Sequence, residues 1–392
     1  MAAFSIEAEL QAISSAKLYR RLRRVENDQG PTLVIGGREV INFSSNNYLG
    51  IANHPALAEA AKLAIDRYGC GSGASRLISG NMTLHEELEA RLAQFKGTEA
   101  ALVFNSGFQA NTGILATLAG ESDAIFSDQL NHASIIDGCR LSRAKTIVYR
   151  HCDLDQLEAE LKKQDGARRR LIVTESIFSM DGDEAPLTAI VELAEKFDAI
   201  VMVDEAHATG VLGPRGAGVV AKLKLGDRVL VQMGTLGKAL GGFGAYVAGS
   251  RALRELLINR CRSFIFTTSL PPAIMAMAMA AIDLTEAEPE RRERLWDNCS
   301  YLADGLKKLG FSLSDIQSPI VPLIIGDAER CMRLSEWVLD HGVFAQGIRP
   351  PTVPQGTSRL RITLMATHTR AHIDKALGIF QQMKNQYGDL LR

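Results

Sequence analysis

The sequence predicts an α/β protein with a mostly parallel sheet flanked by helices and a smaller C-terminal α/β domain. From Pro55 onward, helical segments alternate with short β-branched runs, several of them apolar at consecutive positions. Strands covered on both faces have this composition, and strands separated by helices form crossover units of a parallel sheet. The charged run EAEPERRERLW near residue 288 marks a composition shift. A chain of 392 residues exceeds one usual core, so we predict an N-terminal segment (1–48), a large domain (49–288) and a small domain (289–392).

The N-terminal segment contains two predicted elements. From about Glu7 to Val25 the pattern is helical, and it becomes basic at KLYRRLRR (17–24). The stretch TLVIGGREVINF (32–43) then predicts a hairpin that turns at Gly36-Gly37. We therefore expect a basic helix followed by two paired strands.

The large domain is expected to contain the main sheet. Its predicted strands are ALVF, DAIFSD, KTIVYR, RLIVTES, AIVMVDE, RVLVQMG and AYVAG. The uncharged stretch Phe264 to Ile282 is long enough to span a bilayer, but Pro271 and Pro272 interrupt it, so we predict a buried helix that starts at the prolines. In the small domain SPIVPLIIGD and RLRITL are predicted strands between helices.

Charge and cysteine usage narrow the function classes. Lys plus Arg (44) and Asp plus Glu (45) cancel to a formal charge of -1, so no global positive field attracts nucleic acid. The six cysteines are scattered without a CxxC, which indicates reduced thiols and no metal site. No basic start followed by an apolar run is present, and we expect a cytoplasmic protein without membrane association.

The stretch VMVDEAHATG (201–210) admits two interpretations. The letters DEAH occur in a nucleotide-binding box of helicases, where the Asp holds Mg²⁺. A P-loop requires G-x-x-x-x-G-K-[ST], whereas Lys238 lies in GTLGK and is followed by Ala239. No other G-K-[ST] occurs, so we interpret Asp204 and His207 as a carboxylate and an imidazole with a different task.

Ligands of parallel sheets lie beyond the carboxyl ends of the strands, where three loops of this sequence carry suitable groups. In NSGFQAN (105–111) Gly107 opens a helix, whose first amides can bind an anion. ESIFSMDGD (175–183) offers Ser179, and GTLGKALGG (234–242) offers Thr235 beside Lys238. Each residue alone is equally consistent with a turn, but together they predict a phosphate site.

Pyridoxal 5′-phosphate requires all of these parts, namely a lysine for a Schiff base, an anion site, and an acid beside the pyridine nitrogen. Lys238 supplies the amine, and Asp204 at the end of a buried strand can keep the ring nitrogen protonated. His207 can reach the phenolic oxygen, and His132 in LNHAS is expected to stack on the ring. A lone histidine is more often structural, so the combination carries the prediction.

The chain resembles the α-oxoamine synthases, fold-type I pyridoxal-phosphate enzymes that join an amino acid to an acyl thioester with loss of CO₂. The resemblance covers nearly the whole chain, in the motifs NFSSNNYLG, GSGASRLISG, HEELEARLAQFKGTEAALVFNSGFQAN, SIFSMDGD, VDEAHATG, GTLGKALGG, FIFTTSLPP and IRPPTVPQGTSRLRIT. It implies the roles given above for Lys238, Asp204, His207 and His132. It also implies that four further residues surround the phosphate or cofactor: Gly107, Phe108, Ser179 and Thr235.

The resemblance further implies a homodimer with the active site at the subunit interface. Asn47 and the pair Thr267-Thr268 are then expected to serve the partner's site. An intact lysine, acid and histidine set argues against a non-catalytic binding protein on the same fold, because such a protein has no use for Lys238.

The segment IRPPTVPQGTSRLRIT (348–363) is similar to members that condense L-alanine with a pimeloyl thioester of CoA or a carrier protein in biotin synthesis. The alternative is a glycine-using member such as 2-amino-3-ketobutyrate CoA ligase. We expect Arg361 to grip the amino acid's carboxylate. His132 is expected to donate to the thioester oxygen. Three residues are candidates for binding the far carboxylate of the acyl chain: Arg20, Arg349 and Thr352.

Overall fold

The structure is a computed structural model, and it describes residues 4–388. The helices are α1 (Ile6–Ser15), α2 (Pro55–Tyr68), α3 (Thr83–Lys96), α4 (Gly107–Leu118), α5 (Ala133–Ser142), α6 (Leu154–Lys163), α7 (Leu187–Lys196), α8 (Val219–Lys222), α9 (Arg251–Arg260), α10 (Arg262–Ile265), α11 (Pro272–Ala287), α12 (Glu290–Lys308), α13 (Ala328–Asp340) and α14 (Arg370–Tyr387). The strands are β1 (Thr32–Ile35), β2 (Arg38–Asn42), β3 (Ala100–Phe104), β4 (Ala124–Asp128), β5 (Lys145–Tyr149), β6 (Arg170–Glu175), β7 (Ala199–Asp204), β8 (Val231–Thr235), β9 (Ala245–Gly249), β10 (Ile320–Gly326), β11 (Val343–Phe344), β12 (Gln346–Ile348) and β13 (Ser358–Thr363).

The main sheet has seven strands in the order β3-β9-β8-β7-β6-β4-β5. Neighbours from β8 to β5 run parallel, and β9 is antiparallel to both β8 and β3. All seven runs predicted as strands of the large domain are in this sheet, so the predicted mostly parallel sheet is confirmed.

The consecutive apolar residues of these strands serve two hydrophobic cores, one on each face of the sheet. Leu171 of β6 and Met202 of β7 lie in one core, whereas their neighbours Ile172 and Val201 lie in the other. Side chains of a strand alternate between faces, so a strand covered on both sides must be apolar at every position. The sheet thus places the carboxyl ends of β4, β6, β7 and β8 together at one edge.

The C-terminal part has its own antiparallel sheet in the order β10-β13-β12. The predicted hairpin of β1 and β2 is confirmed, with Gly36 and Gly37 both at positive φ between them. β11 pairs in parallel with β2, so the hairpin extends into the C-terminal part of the chain. The helix predicted to start at the prolines is α11, which begins at Pro272.

The prediction of one helix from Glu7 to Val25 is wrong in its second half. α1 ends at Ser15, and Lys17 takes a left-handed conformation with φ 57°. The amide of Leu18 donates to the carbonyl of Ile13 at 2.9 Å, the closing bond of a Schellman-type helix end. Arg349 then donates to the carbonyls of Lys17 and Tyr19, which fixes the following segment as irregular chain. Arg20 therefore lies after the helix and not within it.

No helix among residues 4–388 combines the length and the apolar composition that crossing a bilayer requires.

Candidate functional site

Asp204 ends β7 and is buried at the carboxyl edge of the main sheet. Its Oδ2 accepts a hydrogen bond from Asn111 Nδ2 at 2.8 Å, and its Oδ1 accepts from the amide of Ala206 at 2.9 Å. Both bonds orient the carboxylate and leave oxygen lone pairs for a further donor. A protonated ring nitrogen is a donor of this kind.

Lys238 follows β8, and its Nζ lies 2.8 Å from Nε2 of His207. Desolvation lowers the pKa of Lys238 to about 8, because the nearby carboxylates of Asp204 and Glu175 offset only part of the desolvation. Burial also lowers the pKa of His207 well below its ordinary value. His207 is therefore neutral at pH 7, and about a tenth of Lys238 is the free amine that a Schiff base requires, far more than for an ordinary lysine.

The low pKa of Lys238 gives a testable pH dependence. Only the neutral amine attacks an aldehyde, so we expect the rate of pyridoxal-phosphate uptake by the apo-protein to rise with pH and to level off near pH 8. Stopped-flow absorbance of the cofactor between pH 6 and pH 10 measures this rate. A rate that keeps rising to pH 10, as for an ordinary lysine, contradicts the assignment.

A hydrogen-bonded network connects Lys238 to Arg361. His207 Nδ1 lies 2.7 Å from the hydroxyl of Tyr48, which donates to Asn46 Oδ1 at 3.2 Å. The same Asn46 oxygen accepts from Nη1 and Nη2 of Arg361, both at 3.2 Å. The sequence analysis missed Tyr48 and Asn46, although both belong to the quoted motif NFSSNNYLG, because nothing in the motif separates Asn46 from Asn47.

Asn47 is occupied within its own loop. Its Nδ2 donates to the carbonyl of Gln29 at 3.2 Å, and its Oδ1 accepts from the amides of Ile51 and Ala52. The structure does not bring this side chain to Lys238, and the role that the resemblance implied for it in the partner's site stays a prediction.

The start of α4 has the features of an anion site. A Cβ at Gly107 would lie 2.9 Å from Thr235 Cγ2, so glycine brings the first turn of the helix against the end of β8. The hydroxyl of Thr235 is buried and has no hydrogen-bond partner among residues 4–388. Ser106 caps the helix by accepting from the amide of Gln109, and Phe108 is the second residue of the helix. The first-turn amides and this unpaired hydroxyl fit a phosphate.

Ser179 lies on a loop that is held from two sides. Arg361 Nε donates to the carbonyl of Ser179 at 2.7 Å, and His151 Nε2 lies 2.7 Å from Asp183 Oδ2. Desolvation lowers the pKa of His151, but hydrogen bonds to Asp128 and Asp183 outweigh it and raise the pKa to about 12. The charged imidazole therefore fixes the loop at the sheet edge.

Glu175 is a buried carboxyl that the sequence analysis did not single out. It ends β6 opposite Asp204 in the register of the two strands. Its Oε2 accepts from the amide of Ser179 at 3.2 Å, and its Oε1 has no partner among residues 4–388. Burial raises the pKa of Glu175 well above its ordinary value, and the nearby charge of Asp204 adds to this. Burial therefore favours the protonated form of Glu175.

His132 is the N-cap of α5, and its Nδ1 lies 2.7 Å from Ser134 Oγ. Asn111 Nδ2 donates to the same Ser134 oxygen at 2.9 Å. The structure thus joins His132 to Asp204 through two residues that the sequence analysis missed.

Thr267 and Thr268 contact Asn105, which lies two residues before the start of α4. Asn105 Nδ2 donates to Thr267 Oγ1 at 3.3 Å and to the carbonyl of Thr268 at 2.8 Å. Thr268 also forms an isolated bridge with Ser75 and is exposed, whereas Thr267 is half-buried.

The three residues predicted to bind the far carboxylate line one groove of about 1740 Å³: Arg20, Arg349 and Thr352. The groove is basic, since it also includes Lys17, Arg21, Arg23 and Arg24. One wall is β12, and its Gln346 is the register partner of Arg361 in β13. The groove therefore lies one strand from the network that contains Lys238.

These residues form a donor set that fits pyridoxal phosphate. An amine of lowered pKa, a carboxylate with open lone pairs, and an unpaired buried hydroxyl beside a helix start are each present. Lys238, Asp204 and the start of α4 would hold the ring and its phosphate.

The model of the family described as aminotransferase class I and II matches residues 38–380. An 8-amino-7-oxononanoate synthase from Geobacter sulfurreducens is 53% identical over 386 residues, covering 98% of this chain and 99% of the relative.

Two solved structures extend this similarity to the fold. A variant of serine palmitoyltransferase from S. paucimobilis with bound PLP–myriocin aldimine has a TM-score of 0.93 and 36% identity over 98% of this chain and 97% of its own. An 8-amino-7-oxononanoate synthase from Francisella tularensis has a TM-score of 0.77 and 32% identity over 89% of this chain and 99% of its own. Similarity of this extent is typical of one family with a shared fold.

Proposed function

The chain belongs to the aminotransferase class I and II family, and from this premise we propose that it condenses L-alanine with a pimeloyl thioester to give 8-amino-7-oxononanoate, CO₂ and the free thiol. The protein is a pyridoxal-phosphate-dependent acyltransferase of the 8-amino-7-oxononanoate synthase type, the activity named for relatives with about half of their residues identical. The observation that carries the proposal is Lys238 with its lowered pKa beside His207 and near Asp204.

The bound cofactor supplies an electron sink for negative charge at the Cα of the amino acid. Asp204 keeps the ring nitrogen protonated, because a nearby carboxylate stabilises the positively charged ring. Each unit by which the pKa of the ring nitrogen rises corresponds to about 1.4 kcal/mol. Lys238, released from its covalent bond, accepts the Cα proton as general base and later returns a proton to the product. The amine's low pKa suits both transfers.

Arg361 is proposed to bind the carboxylate of alanine. Its Nη1 and Nη2 share a single acceptor, Asn46 Oδ1, at 3.2 Å each. A carboxylate offers two oxygens to the same pair of donors and is the better acceptor. The Nε bond to Ser179 keeps the guanidinium in place, so that the amino acid's Cα–H bond is oriented for proton transfer to Lys238.

The basic groove is proposed to bind the far carboxylate of the acyl chain. Arg20 is exposed and has no ion-pair partner among residues 4–388, whereas Arg349 uses two of its donors on backbone carbonyls. Arg20 is therefore the freer cation for a carboxylate.

We expect Arg20→Ala to raise the KM for the pimeloyl thioester roughly tenfold, the equivalent of about 1.4 kcal/mol, and to leave the KM for alanine unchanged. Steady-state thiol release measures both constants. Arg38→Ala is the control, because Arg38 is exposed, pairs with Asp340 at 3.1 Å and lies outside the groove lining. An unchanged KM for the thioester rules out this role of Arg20.

A homodimer is part of the proposal. Ile78 follows Ser75 by three residues, and Phe266 precedes Thr268, the bridge partner of Ser75, by two. These two apolar side chains are 81% and 70% exposed in the single chain. Exposed apolar side chains of this size beside residues assigned to the partner's site indicate a covered surface. Sedimentation equilibrium should give twice the chain mass of 42.6 kDa, and a stable monomer at micromolar concentration contradicts the dimer.

The proposal is tested by thiol release from the pyridoxal-phosphate-loaded protein. Alanine with pimeloyl-CoA is compared with glycine and acetyl-CoA, and the aminoketone formed is identified by mass. Turnover confined to the first pair supports the proposal. If the protein prefers the second pair, the fold and cofactor assignments stand, but the chain is a glycine-using member of the family.

A further inference from the structure

A chain of four hydrogen-bonded side chains runs from Asp204 to His132. Asn111 Nδ2 is 2.8 Å from Asp204 Oδ2 and 2.9 Å from Ser134 Oγ, and Ser134 Oγ is 2.7 Å from His132 Nδ1. Asn111, Ser134 and Asp204 are all buried. The chain therefore connects Asp204 to His132 through two buried side chains.

The direction of each bond follows from the chemistry of its partners. An ionised carboxylate only accepts hydrogen bonds, so the Asn111 atom facing Asp204 is the amide nitrogen. The same nitrogen faces Ser134 Oγ, which must accept there. The Ser134 hydroxyl hydrogen is then free to point to His132 Nδ1.

A second contact shows independently that Nδ1 is an acceptor. The backbone amide of Ser134 donates to His132 Nδ1 at 3.2 Å, and an amide N–H can only donate. A neutral imidazole whose Nδ1 accepts carries its proton on Nε2. No residue between 4 and 388 accepts a hydrogen bond from this Nε2–H.

Desolvation of His132 also favours the neutral ring. Desolvation is the largest influence and lowers the pKa of His132, although the residue remains accessible to solvent in the single chain. The nearby Asp204 raises the pKa and Lys238 lowers it, and neither reverses the effect of desolvation. An imidazolium would in addition place a proton on Nδ1, against the Ser134 amide.

The packing of α4 against α5 keeps Asn111 and Ser134 within hydrogen-bonding distance of each other. Asn111 lies in the middle of α4, and Ser134 lies in the first turn of α5. A Cβ at Gly138 would lie 2.9 Å from the carbonyl oxygen of Asn111 and 2.7 Å from Leu115 Cδ1. The close approach of the helices thus depends on this glycine, and the hydrogen-bonded chain depends on that approach.

We propose that Asn111 and Ser134 are positioning residues that hold His132 in the Nε2–H tautomer, so that its free ring N–H donates to the carbonyl oxygen of the acyl thioester. The inference rests on the proposed function for the identity of the acceptor, whereas the tautomer is a property of the chain itself. A donor fixed before the thioester arrives needs no reorganisation as negative charge develops on that oxygen.

The tautomer is measured by long-range ¹H–¹⁵N NMR of the full-length protein with ¹⁵N-labelled histidine, with and without pyridoxal phosphate. The His132 signals are assigned as those lost in His132→Gln. We expect an unprotonated Nδ1 and a protonated Nε2 in the wild type at pH 7. Protonation at Nδ1 in the wild type overturns the inference, whatever reaction the protein catalyses.

Ser134→Ala tests the role of the hydrogen-bonded chain. The Ser134 hydroxyl donates to the neutral ring and so favours it. In the variant only the longer amide contact at 3.2 Å still opposes a proton on Nδ1, so we expect the pKa of His132 to rise by about half a unit or more and the share of the Nδ1–H tautomer to increase. We expect kcat to fall roughly tenfold with an unchanged KM for alanine. Ser134→Thr keeps the hydroxyl and should restore tautomer, pKa and kcat.

Ser142→Ala is the matched control. Ser142 is also buried in α5, and its hydroxyl donates to the carbonyl of Cys139 at 2.6 Å, away from His132. A structural effect of losing a buried hydroxyl would appear in both alanine variants. If Ser134→Ala matches Ser142→Ala in the His132 tautomer, the His132 pKa and kcat, the positioning role is refuted.

Failure of the proposed function has a different signature. A protein that turns over glycine and acetyl-CoA but not alanine and pimeloyl-CoA changes the substrate and leaves the tautomer assignment in place. A wild-type Nδ1–H signal together with full turnover of alanine and pimeloyl-CoA overturns the tautomer assignment and leaves the proposed function in place.

Discussion

Replacing Lys238 with alanine is expected to lower thiol release from alanine and pimeloyl-CoA by at least about a thousandfold, because the chain loses both its covalent link to the cofactor and its general base. No other described residue presents an amine to His207 Nε2. Pyridoxal phosphate should still bind through the anion site and Asp204, but borohydride reduction should no longer attach it to the chain. Mass spectrometry of the reduced protein, together with the thiol assay, measures both effects.

Lys222→Ala is the control for this experiment. Lys222 lies in α8, is partly exposed and pairs with Glu184 at 2.8 Å, so its loss should change neither cofactor attachment nor turnover. Appreciable turnover by Lys238→Ala, or borohydride attachment of the cofactor to another lysine, removes Lys238 from its proposed role.

The second large effect is expected for Asp204→Asn. The amide keeps the size of the side chain but cannot stabilise a protonated pyridine nitrogen. A neighbouring opposite charge raises or lowers a pKa by about 1–3 units, so we expect kcat to fall roughly 10- to 1000-fold while pyridoxal phosphate remains attached to Lys238. Asparagine keeps only one of the two acceptor oxygens, so the variant also loses either the bond from Asn111 Nδ2 or the bond from the Ala206 amide.

The opposite end of the same strand offers a control for Asp204→Asn. Asp198 directly precedes β7, has φ 48° and is fully exposed, and asparagine tolerates this backbone conformation. Asp198→Asn should retain wild-type kcat. Equal kcat values for the two variants would show that the Asp204 charge has no part in the reaction.

Sequence identity and backbone similarity carry different information about the substrate of a protein. The serine palmitoyltransferase is more similar to this chain in its backbone, whereas the oxononanoate synthase from Geobacter sulfurreducens is more similar in its residues. Members of one fold family differ in the residues of their sites more than in their backbones. Identity is therefore the better guide to the acyl donor and amino acid, and the paired-substrate assay tests it.

Much of the fold could be predicted because its signals are local. The main-sheet strands are continuous apolar runs, and the hairpin turns at two adjacent glycines with positive φ. The second half of the N-terminal helix could not be predicted, because Lys17 ends α1 in a left-handed conformation and Arg349, more than 300 residues away in sequence, binds the chain that follows.

From the sequence alone, charged and titratable residues of the candidate site could be predicted. Four such residues stand in apolar or glycine-rich stretches of the sequence: Lys238, Asp204, His207 and Arg361. Burying a charged group there costs free energy, so its presence indicates a functional role. The tertiary structure alone decided which uncharged groups join them. Asn46 rather than Asn47 contacts Arg361, and Asn111 and Ser134 connect Asp204 to His132. Small polar residues are common at caps and in turns, so only the distances created by folding distinguish those that belong to the site.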